Sequence, residues 1–134
     1  MRRERTLVIN KSILLVDDSL PNLKLTRFLL IEDGFDVRTA ENAEQALLAL
    51  ETRVPDMILM DIQMPGMDGI EATRRIREIP DLAELPIIAL TALAMPGDRE
   101  RCIAAGANDY LSKPISLRGL ATMIETHMNH QASP

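Results

Sequence analysis

The sequence contains no tryptophan, one tyrosine, two phenylalanines and one cysteine among its 134 residues. Because nucleic acids are bound through basic surfaces and stacking aromatic side chains, this scarcity and the net charge of -5 argue against a nucleic-acid partner. One cysteine, Cys102, cannot form an internal disulfide or a thiolate metal cluster, so we expect it to be a small buried hydrophobe. The apolar run Leu7-Val8-Ile9 is too short for a signal peptide or a membrane span, which predicts a cytoplasmic protein without membrane contact.

What the chain does have is a hydrophobic content of 46%, enough for one core at this length. Short apolar runs alternate with helical periods from Ser12 onward, a pattern typical of βαβ units wound into a parallel sheet. We predict one domain at residues 11–128, between an N-terminal extension at 1–10 and a C-terminal tail at 129–134. The predicted strands span 12–16, 36–39, 57–60, 87–90 and 109–111, and the predicted helices span 21–33, 43–52, 70–79, 98–105 and 117–128.

Two predictions concern side chains away from the strand ends. The first helix carries a stripe of residues at helical spacing, and we expect this stripe to pack against the sheet. Its members are Leu25, Phe28, Leu29 and Glu32. His127 and His130, near the C-terminus, are too few and too peripheral for a metal site, so we expect both to face solvent.

Acidic residues follow two of the predicted strands at the point where each strand ends. Asp61 follows the apolar run 57–60, and Asp17 and Asp18 follow the run 12–16. One interpretation is that each carboxylate only caps the turn or helix after it. However, the carboxyl ends of parallel strands meet at one edge of an open α/β sheet, where ligands bind. Three carboxylates gathered there would repel one another, which predicts a hard cation such as Mg²⁺ between them.

Two more polar residues follow the remaining strands on the same side of the predicted sheet. Thr91 comes directly after the run 87–90, and Lys113 comes shortly after the run 109–111. Taken singly, Thr91 could be a helix cap and Lys113 a solvated charge. Placed together, the ammonium can neutralise a phosphoryl oxygen and the hydroxyl can donate a hydrogen bond to another.

These segments resemble the receiver domain of two-component response regulators, over residues 11–128. The resemblance implies a doubly wound α/β fold of the flavodoxin type, with five parallel strands in the order 2-1-3-4-5 and five helices. The members that the chain resembles are single-domain proteins, such as chemotaxis and cell-cycle regulators. The motifs that carry the resemblance are Asp17-Asp18, Met60-Asp61-Ile62-Gln63-Met64-Pro65-Gly66-Met67-Asp68-Gly69, Thr91-Ala92 and Tyr110-Leu111-Ser112-Lys113-Pro114.

The resemblance also implies a role for each acidic residue. Asp61 would be the phosphoacceptor and a ligand of Mg²⁺ or Mn²⁺. The other ligands would be Asp18 directly, Asp17 largely through water, and Gln63 through its backbone carbonyl.

The remaining motif residues would bind the phosphoryl group and respond to it. Lys113 would contact the group, and the peptide bond between Lys113 and Pro114 would be cis. Thr91 and Tyr110 would form a paired switch, in which the hydroxyl moves toward the phosphate and the ring turns inward behind it.

The implied function is a phosphorylated signalling switch, catalysing only its own phosphorylation and dephosphorylation. A phosphohistidine on a histidine kinase or a histidine phosphotransfer protein would donate the phosphoryl group at a donor-docking surface. That surface comprises Ser19, Pro21, Asn22, Leu25 and Pro114-Ile115. A downstream protein target would bind the output face, made of the fourth helix, the fifth strand and the fifth helix, at residues 93–103, 109–111 and 117–128. The positions of the termini lead us to expect a complete, stand-alone regulator.

Three alternatives stay open. A receiver domain excised from a hybrid histidine kinase would have the same motifs. An aspartate-nucleophile phosphatase also uses Asp, Lys and Mg²⁺, but it needs a cap domain and a second Asp two residues after the nucleophile, where this chain has Gln63. A flavodoxin-like module that binds flavin or nucleotide needs a Gly-rich or hydroxyl-rich loop after the first strand, where this chain has Asp17-Asp18-Ser19.

Overall fold

A computed structural model of the protein describes residues 11–92, 94–113 and 115–129, apart from the side chains of Leu117, Met128 and Asn129. Its strands are β1 (Ser12–Val16), β2 (Asp36–Ala40), β3 (Met57–Asp61), β4 (Ile87–Thr91) and β5 (Asp109–Ser112). Its helices are α1 (Leu20–Glu32), α2 (Ala43–Thr52), α3 (Gly69–Arg77), α4 (Asp98–Ala105) and α5 (Leu117–Ile124). A 3₁₀ helix at Pro80–Leu82 precedes β4, and a π-helical turn at Glu125–Asn129 continues α5.

The five strands are parallel and pair in the order β2-β1-β3-β4-β5, which confirms the predicted doubly wound sheet. Continuous apolar runs form the central strands because helices cover both sides of the sheet. On one side, Leu14 and Ile58 belong to a cluster with Ala46 of α2, Ile76 of α3 and Cys102 of α4. The other side is a second cluster, in which Leu15 and Leu59 pack with Leu23 of α1 and Leu120 of α5.

The strands β2 to β5 each extend one residue beyond their predicted ends. Backbone hydrogen bonding explains the difference, since the ladder continues past the last apolar side chain and Ile62 N–H donates to Leu90 C=O at 2.9 Å. Asp61 and Thr91 are therefore the last residues of their strands rather than the first residues of loops.

The predicted bounds of α2 and α4 are confirmed, and the other three helices differ at their ends. The helices α1 and α3 each begin one residue earlier than predicted and end before residues 33 and 78. The helix predicted at 117–128 changes to π-helical geometry at Glu125.

The prediction for the packing side of α1 is wrong at three of its four positions, because Glu32 is exposed as well as Leu25 and Phe28. Leu25 is 60% exposed and Phe28 is 59% exposed, whereas Leu23 and Leu30 are buried. Apolar residues occur on every side of this helix, so helical spacing alone could not identify the stripe that faces the sheet.

The prediction that His127 faces solvent is also wrong. Its side chain is 19% exposed, and Nε2 lies 3.2 Å from Asp109 Oδ2. Arg99 of α4 lies 3.8 Å from the other oxygen of the same carboxylate. Asp109 therefore links α4, β5 and the π-helical turn. His130, the segment 1–10 and most of the predicted tail lie outside the described residues, so the domain boundaries stay a prediction.

Two predictions from composition can be compared with the structure. Cys102 is buried, and burial raises the pKa of its thiol, as expected of a small core residue. In the part of the chain that the structure describes, no helix has both the length and the apolar character needed to cross a membrane.

The contrast within α1 gives a direct test of the packing. We expect Leu23→Ala to lower the free energy of unfolding by about 2 to 4 kcal/mol, because it leaves a cavity against the sheet. Leu25→Ala, the matched change on the same helix, should alter it by less than about 0.5 kcal/mol. Urea unfolding of the two variants measures both values, and equal losses would contradict the observed orientation of α1.

Candidate functional site

Two carboxylates are buried together at the carboxyl edge of the sheet. Asp17 follows β1 and is 3% exposed, and Asp61 ends β3 and is 2% exposed. In each residue Oδ1 accepts a hydrogen bond from the backbone N–H two residues later, from Ser19 at 2.9 Å and from Gln63 at 3.0 Å. One oxygen of each carboxylate therefore caps the turn that follows it, as one interpretation of the sequence expected. These bonds orient the second oxygen, Oδ2.

The neighbour that both Oδ2 atoms share is Lys113, directly after β5. Its Nζ lies 2.7 Å from Asp17 Oδ2 and 3.5 Å from Asp61 Oδ2, and its side chain is 11% exposed. Its backbone N–H donates to Thr91 C=O at 2.6 Å, which fixes the residue against the end of β4. Lys113 is thus a largely buried counter-ion for two buried carboxylates rather than a solvated surface charge.

Asp18 adds a third carboxylate from the exposed side of the pair. One oxygen from each of Asp17, Asp18 and Asp61 lies within 4.8 Å of the others. The single ammonium of Lys113 does not balance three carboxylates, so the cluster has an excess of negative charge that a divalent cation would neutralise. A set of oxygen ligands suits Mg²⁺ or Mn²⁺, so these residues fit the predicted type of metal ion.

The environment of Asp61 shifts the pKa of its carboxyl group. Burial raises the pKa of Asp61 to about 6, although the N–H of Gln63 and the ammonium of Lys113 act in the opposite direction. The negative charges of Asp17 and Asp18 raise it further. Above this pKa the carboxylate is ionised and is the nucleophilic form of the side chain.

The two residues expected to switch together lie on neighbouring strands. Thr91 is the last residue of β4 and is fully buried, so it does not cap a helix. Tyr110 pairs with Ala89 on the adjacent strand, and its ring packs against the cluster that contains Cys102. Its hydroxyl is buried, and burial raises the pKa of the Tyr110 phenol, with a smaller effect from the Asp98 carboxylate. The ring therefore lies against α4.

Two contacts at the end of β3 were not predicted from the sequence. A Cβ atom on Gly69 would lie 2.2 Å from the Asp61 carbonyl oxygen, so α3 approaches β3 this closely only with glycine there. The signal available was a glycine directly after Asp68, which caps α3. The second contact joins the Gln63 side chain, whose Oε1 accepts a hydrogen bond from Ala92 N–H at 2.9 Å.

Other predicted features fall on residues that the structure does not describe. Pro114 is one of them, so the predicted cis bond after Lys113 and that part of the donor-docking surface stay predictions. Leu93, the first residue of the output face, is another.

Comparison with known proteins identifies the family. A family model of the response regulator receiver domain matches residues 13–125. The chain belongs to this family. The polar-differentiation response regulator DivK of Brucella anthropi is 41% identical over 119 residues, which cover 88% of this chain and 96% of DivK.

Solved structures agree with the family and with the fold. The chemotaxis protein CheY4 of Vibrio cholerae has a TM-score of 0.84 at 28% identity, covering 88% of this chain and 98% of its own. The signal receiver domain of a signal transduction histidine kinase from Syntrophus aciditrophicus has a TM-score of 0.82 at 32% identity, covering 90% and 91%. The protein is therefore a receiver domain of two-component signalling with the flavodoxin-like fold of its relatives.

Membership in the family also fixes the general kind of activity. Receiver domains are signalling switches that bind Mg²⁺ at an acidic pocket and interact with histidine kinases and downstream targets. They are generally not enzymes, which favours a signalling switch over the phosphatase and nucleotide-binding alternatives.

The raised pKa of Asp61 predicts how its replacement changes stability with pH. In the metal-free protein, Asp61→Asn should raise the free energy of unfolding above pH 6 by up to about 3 kcal/mol. Since the folded pKa lies above the unfolded one, wild type loses stability as pH rises through the range from about 4 to about 6, and asparagine does not ionise. Urea unfolding in EDTA from pH 4 to pH 8 measures the difference.

Metal ion provides the control for this experiment. Millimolar Mg²⁺ at pH 8 should stabilise the wild type more than Asp61→Asn. The two proteins should therefore differ less in their free energy of unfolding than they do in EDTA. If the stability difference between Asp61→Asn and wild type grows as the pH falls, burial does not set the pKa of Asp61.

Proposed function

We propose that this receiver domain accepts a phosphoryl group on Asp61 from a phosphohistidine of a histidine kinase or a histidine phosphotransfer protein. The observation that carries the proposal is the position of Asp61 Oδ2, at the end of a buried strand and 3.5 Å from the Lys113 ammonium. Asp17 Oδ2 makes the shorter contact with the same ammonium, at 2.7 Å. Asp61 is thus the buried carboxylate whose outer oxygen is less tightly held and better able to attack.

The chemistry needs position and charge neutralisation more than a further catalytic group. Asp61 Oδ2 attacks the phosphorus in line with the bond to the histidine nitrogen. The O–P bond forms as the P–N bond breaks, and the electron pair of the broken bond stays on the imidazole, which takes up a proton. Lys113 neutralises one phosphoryl oxygen, and the Thr91 hydroxyl donates a hydrogen bond to another.

Four residues of this chain would hold the metal ion, which is Mg²⁺ or Mn²⁺. When bound, the cation screens the carboxylates from one another and from the incoming anionic group. The ligands would be Asp17, Asp18 and Asp61 through their carboxylates and Gln63 through its backbone carbonyl.

The response to phosphorylation would pass through Thr91 and Tyr110 to the output face. A Thr91 hydroxyl that moves toward the phosphoryl group vacates space beside the Tyr110 ring. Tyr110 N–H donates to Asp109 Oδ1 at 2.9 Å, and Asp109 also contacts Arg99 and His127. A movement of Tyr110 would therefore reach α4, β5 and the π-helical turn that continues α5 through one carboxylate.

The donor-docking surface has the apolar exposure that a partner helix would cover. Leu25 is exposed on α1, and Phe28 lies one turn further along the same helix and is equally exposed. A small cavity of about 90 Å³ beside this surface is lined by Leu25, Asn22 and Ile115 and by Asp17 and Lys113 of the site. A donor seated there would lie next to the phosphoacceptor.

Two settings for the domain agree with the comparisons. The similarity to DivK, which covers 96% of that protein, favours a stand-alone regulator. The similarity to the receiver domain of the histidine kinase from Syntrophus aciditrophicus favours a module of a hybrid kinase. The phosphorylation chemistry is the same in both.

Phosphorylation by a small donor tests the phosphoacceptor directly. With Mg²⁺ present, acetyl phosphate should modify a single site, Asp61, and chelation of the metal should abolish the reaction, because the carboxylate cluster repels an anion. Asp61→Asn should lose the modification, as measured by intact-protein mass spectrometry and peptide mapping.

The control is Asp68→Asn, since Asp68 is an exposed carboxylate nearby that caps α3 and asparagine also caps helices well. This variant should be phosphorylated like wild type. Phosphate mapped to Asp17, Asp18 or Asp68 would refute the assignment of Asp61.

Coupling between Thr91 and Tyr110 is a separate expectation. Beryllofluoride, a stand-in for the phosphoryl group, should bind Thr91→Ala, Tyr110→Ala and the double variant with non-additive losses of at least about 0.5 kcal/mol. A double-mutant cycle measured by titration gives the coupling energy. The matched pair of Thr91→Ala with Thr52→Ala should be additive, because Thr52 lies on the exposed side of α2. Additive losses of beryllofluoride binding for Thr91→Ala and Tyr110→Ala would refute the proposed switch.

A further inference from the structure

The Gln63 residue makes two hydrogen bonds that join the phosphoacceptor to the loop after β4. Its backbone N–H donates to Asp61 Oδ1 at 3.0 Å. Its side-chain Oε1 accepts a hydrogen bond from Ala92 N–H at 2.9 Å. Ala92 directly follows Thr91, so the first peptide of this loop is held by a side chain that is itself anchored on Asp61.

We propose that the Gln63 carboxamide is a positioning residue that holds the Ala92 N–H in the unphosphorylated state and must release it when Asp61 is phosphorylated. This inference rests on the proposed function of Asp61. It assigns to the Gln63 side chain a role that is separate from metal binding by its backbone carbonyl.

Thr91 and Ala92 are joined by one peptide bond. Any displacement of Thr91 toward Asp61 also moves the peptide that carries the Ala92 N–H. A hydrogen bond of 2.9 Å is near the ideal length, so a shift of that peptide lengthens or breaks it. The Gln63 bond therefore favours the unphosphorylated position of the loop.

A phosphoryl group on Asp61 would compete with Gln63 Oε1 as the acceptor for the Ala92 N–H. A phosphoryl oxygen is anionic, and hydrogen bonds to ionised acceptors are roughly twice as strong as those to neutral ones. Because Gln63 N–H touches Asp61 itself, the loop that its side chain holds lies beside the place where the phosphoryl group would form. Phosphorylation would thus replace the neutral Gln63 Oε1 by a stronger acceptor for the Ala92 N–H.

The hydrogen bond between Gln63 and Ala92 lies at the surface. Gln63 and Ala92 are both exposed, so water can replace either partner when the bond breaks. Opening the bond is therefore inexpensive, as a reversible switch requires. A neutral hydrogen bond of this kind corresponds to a change of about 2-fold to 10-fold in an equilibrium constant.

The test uses variants that remove the acceptor without removing the side chain. Gln63→Met keeps the length of the side chain, and Gln63→Asn keeps the amide but is one methylene shorter. The matched control is Gln45→Met, because Gln45 Oε1 accepts the backbone N–H of Glu41 at 2.8 Å, on α2 and away from the site. All four proteins are titrated with beryllofluoride in saturating Mg²⁺, and backbone amide resonances are followed by NMR.

Both Gln63 variants should bind beryllofluoride about 2-fold to 10-fold more tightly than wild type, since no bond to Gln63 has to be broken. Before beryllofluoride is added, their amide signals at Ala92 and Thr91 should already lie part of the way toward the bound positions, a shift that a purely structural role would not cause. Gln45→Met should match wild type in both measurements.

Three results would overturn the inference. Wild type that binds beryllofluoride while both Gln63 variants bind equally well or more weakly would refute the role of the side chain and leave the phosphoacceptor intact. A Gln45→Met variant that also binds more tightly would show that the effect is not local. Wild type that fails to bind beryllofluoride with Mg²⁺ would refute the proposed function itself, and this inference with it.

Discussion

The burial of two like charges, Asp17 and Asp61, at one edge of the sheet is the constraint on which the rest of the structure depends. An unpaired buried carboxylate is destabilising by several kcal/mol, on the order of the whole stability of a small domain. Lys113 Nζ offsets this repulsion from 2.7 Å and 3.5 Å, although Lys113 is 96 residues from Asp17 along the chain. Only the complete sheet, with β5 paired to β4 and β4 to β3, brings the ammonium there, so the site exists only in the finished fold.

The fold tolerates this destabilising pair of charges because the central strands of the sheet are packed on both faces. Side chains along β3 alternate between the two clusters, with Ile58 in one and Leu59 in the other, and both are completely buried. Asp61 thus ends a fully buried strand, and Asp17 directly follows a strand that is buried from Ile13 to Val16. Gly69 lets α3 begin directly against the Asp61 carbonyl, where a Cβ atom would lie 2.2 Å from the oxygen.

The strands and the buried acidic residues could be predicted because each depends on local sequence alone. An apolar run that ends on Asp61 specifies a doubly covered strand and its polar end without reference to any other segment. The packing side of α1 could not be predicted, because Leu23 and Leu25 are equally apolar and only the position of the sheet distinguishes them. The contacts of Gln63 with Ala92 and of Asp109 with His127 join residues 29 and 18 positions apart, and nothing local in the sequence links their members.

A change of charge at Asp61 would be felt first where the structure is least tightly packed. A phosphoryl group replaces one negative charge with about two, in a cluster whose single ammonium already contacts two carboxylates. The core behind Asp61 resists rearrangement, because the apolar side chains of β3 are fully buried and protein interiors are close-packed. The end of β4 is less enclosed, since buried Thr91 is followed there by exposed Ala92. The extra charge would therefore be met by hydrogen-bond donors from this junction, and the loop toward α4 would move with them while the sheet stays fixed.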